Sequence, residues 1–142
     1  MKRNKQRRKA FTLVELLVVI VIISMLAAFA APKLYQYVGK SKVDLARPRL
    51  ALVEDALERF AIDCGRYPDD SEGLDALLVA PADLEEKWRG AYLKPKQLND
   101  PWDNPVVYRA EGEMNPGSYD LISLGADGEE GGEGANADIY ND

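Results

Sequence analysis

Residues 11–31 read FTLVELLVVIVIISMLAAFAA, a run whose polar members are Thr12, Glu15 and Ser24. At ~1.5 Å per residue, a helix of this length just crosses the ~30 Å hydrocarbon core of a membrane. The preceding MKRNKQRRKA holds Lys2, Arg3, Lys5, Arg7, Arg8 and Lys9 and no acid, the flank expected on the cytoplasmic side. Three readings fit a basic segment followed by an apolar run. It is a plain signal anchor, a secretory signal cut at its far end, or a leader cut at its near end. Ala28, Ala30 and Ala31 offer the small residues that a secretory cut requires. Neither of the first two readings accounts for Glu15. An acid inside an apolar span is costly and marks function.

Beyond the run, Pro32 either closes the helix or kinks or locally melts a longer one, because LYQYVGKSKVDLA (34–46) stays helix-compatible. Leu50, Val53, Leu57, Phe60 and Cys64 then recur every three or four residues between Glu54, Asp55, Glu58 and Arg59. This is the apolar stripe of an amphipathic helix, which should pack on a small sheet. Cys64 lies on the stripe and reads as a buried structural thiol. Pro48 predicts a second bend, and Gly65 a C-cap. Ser71 with Leu74, Leu77 and Leu78 predicts a short second helix closed by Pro81. Trp88 and Tyr92 are expected as local anchors in the polar stretch 82–98. NDPWDNP (99–105) is dense in turn formers. VVYR (106–109) and YDLISLG (119–125) read as paired strands around the turn EGEMNPGS. The fold class is α+β: a long N-terminal helix packed on a small antiparallel sheet.

Composition narrows the function. The chain has 142 residues, room for an anchor and one modest core. Its net charge of -6 is uneven. Six of the 18 basic residues lie in the first ten positions, leaving 12 basic against 24 acidic side chains in the other 132. An acidic body argues against nucleic-acid binding. The single cysteine, Cys64, permits no internal disulfide, so a small extracytoplasmic domain needs another staple. With no histidine, Ser-His and Cys-His nucleophiles are excluded. Asp69, Asp70, Asp127 and Asp138 could be imagined as acid–base carboxylates of an anchored enzyme, but no partner base or pocket signature accompanies them. The expectation is that the chain is not an enzyme.

The string KAFTLVEL resembles the processing site of type IV prepilins and type II secretion pseudopilins. That resemblance implies cleavage between Ala10 and Phe11 by a prepilin peptidase, followed by N-methylation of Phe11. Ala10 stands where the family usually has Gly. In this reading the carboxylate of Glu15 pairs with the new Phe11 ammonium, on the same chain or a neighbouring one, and sets filament register. The middle of the chain narrows the resemblance. CGRYPDDSEGLDALLVAP (64–81) and DPWDNPVVYR (100–109) are similar to segments of the major pseudopilins of type II secretion, the general secretion pathway protein G family, with Asp103 where Gly is usual. The implied organisation is a leader at 1–10, a transmembrane and filament-core helix at 11–31, and a periplasmic domain at 32–142. Within that domain the helix continues to about 64, a connecting region covers 65–105, and the sheet covers 106–125.

From Leu124 to Ile139 the chain carries five acids and five glycines. Composition alone leaves two readings open, a frayed acidic tail and a calcium loop of flexible backbone and oxygen ligands. The spacing is not that of an EF-hand. The placement directly after a core strand, ending in Asp138-Ile139-Tyr140 where an apolar pair can dock back, favours the loop. SLGADGEEGG…ADI resembles the calcium loop of the same family, over 124–139. By that resemblance the ligands are the Leu124 carbonyl and the Asp127 and Asp138 carboxylates, with the Ala135 carbonyl and Asn136 side chain as weaker matches. Glu129, Glu130 and Glu133 are expected to be solvated. Where the family continues Gly-Asn-Trp, this chain has Tyr140-Asn141-Asp142.

The function so implied is a major pseudopilin: a structural subunit of the type II secretion pseudopilus, polymerising into a periplasmic filament that drives export of folded proteins. Implied partners are other copies of itself, minor pseudopilins, the inner-membrane assembly platform, prepilin peptidase and, before assembly, membrane lipid. The implied location is the bacterial inner membrane, single-pass, with the C-terminal domain in the periplasm. A type IV pilin of a surface filament for adhesion, motility or DNA uptake is the alternative.

Overall fold

The structure, a computed structural model, describes residues 11–141. The leader segment and Ala10 lie outside the described residues. The chain divides into two units, one ending at Tyr37 and the other beginning at Val38.

Among the described residues, one helix, α1 (Leu13–Cys64), supplies all of the α structure. Its opening turns are rich in Val and Ile, poor helix formers in water. In lipid, by contrast, a helix satisfies every backbone polar group internally. Its best 18-residue window has a mean hydropathy of 2.8 and none of it is buried. Such a span is long and apolar enough to cross a membrane. The helical assignment is unbroken through Pro32 and Pro48. Pro32 therefore does not close the helix, and neither proline melts it.

In the second unit α1 becomes amphipathic. Ala46, Leu50, Val53, Leu57, Phe60 and Cys64 are buried on one face, as the three- and four-residue spacing predicts. From Leu50 onward they meet Leu74, Leu77, Leu84, Leu93, Val106, Tyr119 and Leu121 in one core. Burial, with Asp63 close by, pushes the Cys64 thiol up, which keeps it an unreactive filler. The helix ends where Gly65 turns to φ 85° and donates its amide to the Ala61 carbonyl.

The connecting region is held by polar contacts as much as by burial. Arg66 makes a two-pronged contact with Glu72, at 2.6 and 2.7 Å, and reaches Asp83 at 3.0 Å. The expected second helix is only a 3₁₀ segment, Gly73–Leu77. Its start is organised by Asp69, not Ser71: the Asp69 carboxylate accepts from the Ser71 amide, the Ser71 hydroxyl and the Glu72 amide. With five residues and a left-handed glycine at its head, the segment cannot close a full α turn ladder. Trp88 donates to the Ala76 carbonyl, and Tyr92 packs edge-on against Phe60 and Trp88 while donating to Asp63. A second 3₁₀ segment, Pro95–Leu98, was not expected from the sequence.

The sheet has three antiparallel strands in the order β1 (Val107–Arg109), β2 (Asp120–Ser123), β3 (Ile139–Tyr140). Val107 faces Ile122, and Ser123 faces Ile139. Central β2 is buried along its whole length. Asp120 within it accepts from the amides of Glu113, Met114 and Asn115, closing the β1–β2 turn. Strand β3 is the apolar pair after Asp138; two residues are too short to signal a strand by alternation.

Asp103 is the single described non-glycine residue with positive φ, 75°. It is also the position where the resembling family usually has Gly. Two bonds from the Asn99 side chain, to its carbonyl and carboxylate, support the strained conformation. Left-handed backbone costs an ordinary residue roughly 1 kcal/mol or more, partly offset by the freedom Gly adds to the unfolded chain. Asp103→Gly is therefore expected to stabilise the chain by about 0.5 kcal/mol. In a thermal melt of the detergent-solubilised chain this reads as a rise of a few degrees. A fall would mean that the Asn99 bonds outweigh the strain.

Candidate functional site

Two places carry the residues singled out by sequence, one at each end of the described chain.

At the head of α1, Glu15 and Thr12 bond reciprocally. The Glu15 carboxylate accepts from the Thr12 amide at 2.9 Å and the Thr12 hydroxyl at 3.0 Å, and the Glu15 amide donates back to that hydroxyl at 3.2 Å. This is a capping box, with Thr12 at the cap and Glu15 three residues on. The carboxylate is thus engaged one residue from Phe11, whose own side chain is exposed. Sequence reasoning missed Thr12 as the partner, although the Thr-x-x-Glu spacing signals it. From Leu13 to Ile23 every large apolar side chain is 43–80 % exposed. An apolar surface on all sides of a helix requires lipid or other helices around it.

At the other end, the segment between β2 and β3 folds back on itself. The Ala126 amide donates to the Ala135 carbonyl at 2.9 Å, and a 3₁₀ turn at Gly134–Asn136 brings the return limb close. Gly125 makes this approach possible. A Cβ there would sit 2.7 Å from the carbonyl carbon and oxygen of Asn136, and its φ of 68° is left-handed. Asp127 is exposed and accepts from the Glu129 amide. Asp138 is half-buried: one carboxylate oxygen accepts from the Gly131 amide at 3.0 Å, while Oδ1 is buried without a hydrogen-bond partner. Leu124 and Ala135 are half-buried, and Asn136 is exposed. Among the described residues, no three acids, histidines or cysteines gather at one point. A cation here would depend on carbonyl and amide oxygens beside two carboxylates.

Glu130 is exposed, as expected, and its carboxylate also pairs with Arg109 on β1 at 2.9 Å. Glu129 and Glu133 are exposed, as expected. Asp69 and Asp70 have structural work, since Asp70 accepts from the Ala110 amide at 2.7 Å.

An apolar helix with a polar head, running into an amphipathic half packed on a three-stranded antiparallel sheet, is the architecture of a pilin-type subunit. A family model for type II secretion system (T2SS) protein G matches residues 33–142, and one for the prokaryotic N-terminal methylation motif matches residues 5–31. The type II secretion system core protein G of Pseudomonas aeruginosa is 38 % identical over 141 residues, covering 97 % of both chains. That of Vibrio cholerae is 38 % identical, covering 98 % of this chain and 94 % of its own. The crystal structure of the major pseudopilin from the type 2 secretion system of enterohaemorrhagic Escherichia coli superposes with a TM-score of 0.57 at 27 % identity, over 72 % of this chain and 87 % of that one. The chain belongs to the type II secretion system protein G family, the major pseudopilins.

Proposed function

We propose that this chain is anchored once in the inner membrane by residues 11–31, with its C-terminal domain in the periplasm, and polymerises into the pseudopilus that drives export of folded proteins. The observation that carries this is the head of α1: a capped Glu15 opening an apolar helix whose large side chains are exposed on all sides. Lipid covers that surface before assembly, and other copies cover it in the filament. Prepilin peptidase cuts between Ala10 and Phe11, and the freed Phe11 amine is methylated; the N-terminal methylation motif over residues 5–31 supports this. The new ammonium then competes with Thr12 for the Glu15 carboxylate, within a chain or between copies. Minor pseudopilins and the inner-membrane assembly platform are the other partners. The role is structural, without catalysis.

The test is Glu15→Leu in cells that overproduce the secretion system. Processed chain is expected in the membrane fraction at normal levels, with sheared filaments reduced to background. Filaments at the wild-type yield would reject the pairing role of Glu15. Loss of the chain from the membrane fraction would reject the anchor.

The C-terminal loop is proposed to hold calcium through the carboxylates of Asp127 and Asp138, the carbonyls of Leu124 and Ala135, and the Asn136 side chain. The buried, unpartnered Oδ1 of Asp138 supports this. A carboxylate oxygen withdrawn from water without a partner is costly, and a cation would satisfy it. Two carboxylates with carbonyl and amide oxygens suit a hard cation. A bound ion would supply charge that ties the loop's two limbs together, the staple that the lone Cys64 cannot provide.

A further inference from the structure

The turn from Asp100 to Asn104 has no place in the functional reading above, yet it touches the candidate ion loop at several points. Its own geometry is closed by backbone and by the Asp100 carboxylate. The Asp100 amide donates to the Asn104 carbonyl at 2.8 Å, and the Asn104 and Trp102 amides donate to Oδ1 of Asp100 at 2.9 Å. The other oxygen of Asp100, buried, accepts from the Ser123 hydroxyl at 2.7 Å, tying the turn to the last residue of β2. Two residues on, the Asn104 side-chain amide donates to the Gly125 carbonyl at 2.8 Å. Gly128 lies over the same side chain: a Cβ at Gly128 would sit 3.3 Å from the Asn104 Cγ and Oδ1.

The contacts at Ser123, Gly125 and Gly128 bracket Leu124 and Asp127, two of the candidate ligands. We propose that Asn104 is a positioning residue for the ion site, presetting residues 124–128 so that their oxygens lose little freedom when a cation arrives. This rests on the calcium reading of the loop. The physical reason is preorganisation, in which ordering completed during folding is not charged against binding. One neutral hydrogen bond of this kind changes an equilibrium by about five- to tenfold.

The test uses the full chain in detergent micelles with calcium ion as the only probe. Because the backbone of Asn104 closes the turn, Asn104→Ala and the near-isosteric Asn104→Asp should both fold. Asn104→Asp sets an acceptor against the Gly125 carbonyl. Calorimetric titration is expected to show the calcium Kd of both variants weakened about five- to tenfold. In chelator, hydrogen exchange should quicken at residues 124–128 and stay unchanged at Leu121 and Ile122. A merely structural role would change exchange throughout the core and leave no such local split. Wild-type affinity in both variants, with unchanged exchange at 124–128, would overturn the proposal while the ion site stands. A wild-type chain that takes up no calcium would overturn the ion site, and with it the role of Asn104 in binding.

Discussion

Replacing Asp120 by alanine is expected to destabilise the folded chain by about 3–5 kcal/mol, the range for uncoupling a buried, hydrogen-bonded charge. The side chain sits on the central strand and is fully buried. Its carboxylate accepts from the amides of Glu113, Met114 and Asn115 at 2.7–3.0 Å and from the Asn115 side chain at 3.2 Å. Alanine leaves those donors facing a cavity and removes what closes the β1–β2 turn. The same bonds give a pH signature. Burial raises the Asp120 pKa, but the bonds from Met114, Glu113 and Asn115 outweigh it and hold the carboxyl below its ordinary value of 3.8. A depressed folded-state pKa contributes stability that is present above the unfolded value and lost as pH falls through the folded one. Wild-type stability should therefore decline below about pH 4, more steeply than in Asp120→Ala. Denaturant titrations of the detergent-solubilised chain at pH 3 and pH 7 measure both effects. Equal midpoints for wild type and variant at pH 7 would refute the role assigned to this carboxylate.

The second large effect is expected from calcium. An ion that binds only the folded chain adds about 2.7 kcal/mol when present at a hundred times its Kd. For a unit of this size that corresponds to a rise in Tm of about 10 °C. The rise should vanish in chelator and in Asp127→Ala. Asp138→Ala separates an ion ligand from a structural acid. It removes an unpartnered buried oxygen along with one bond to the Gly131 amide, so in chelator it should melt close to wild type. In calcium it should fall well below. If Asp138→Ala melted equally far below wild type in both conditions, its carboxylate would serve the Gly131 turn and not an ion.

The α+β class, the apolar span, the core stripe and the two longer strands were legible in the residue pattern. Each depends on local periodicity: an apolar residue every three or four positions puts Leu50, Val53, Leu57, Phe60 and Cys64 on one helical face wherever that helix ends up. The N-terminal methylation motif was legible for a similar reason, since KAFTLVEL is read as a contiguous string.

What the sequence misread was decided by partners distant along the chain or by competition between equals. Pro32 was not among these: it left open an ending or a longer helix kinked or locally melted there, and the helix runs on to Cys64, in line with the continuation to about 64. Ser71 was expected to mark a short second helix, but the nearby Asp69 carboxylate took its amide and hydroxyl. Glu130 is solvated as read, but its pairing at 2.9 Å with Arg109, 21 positions earlier, left no local signal.

The sequence by itself determined that this chain has an apolar helix long enough to cross a membrane, with an amphipathic continuation and a small sheet, because helix and strand periodicity are properties of neighbours. The tertiary structure alone decided that Ile139–Tyr140 completes the sheet, that Asp138 holds a buried oxygen without a partner, and that the Asp100–Asn104 turn grips the start of the loop after β2. Hydrogen bonds such as Asn104 to Gly125 join groups that no local pattern relates, and they exist only once the core has brought both backbones within reach.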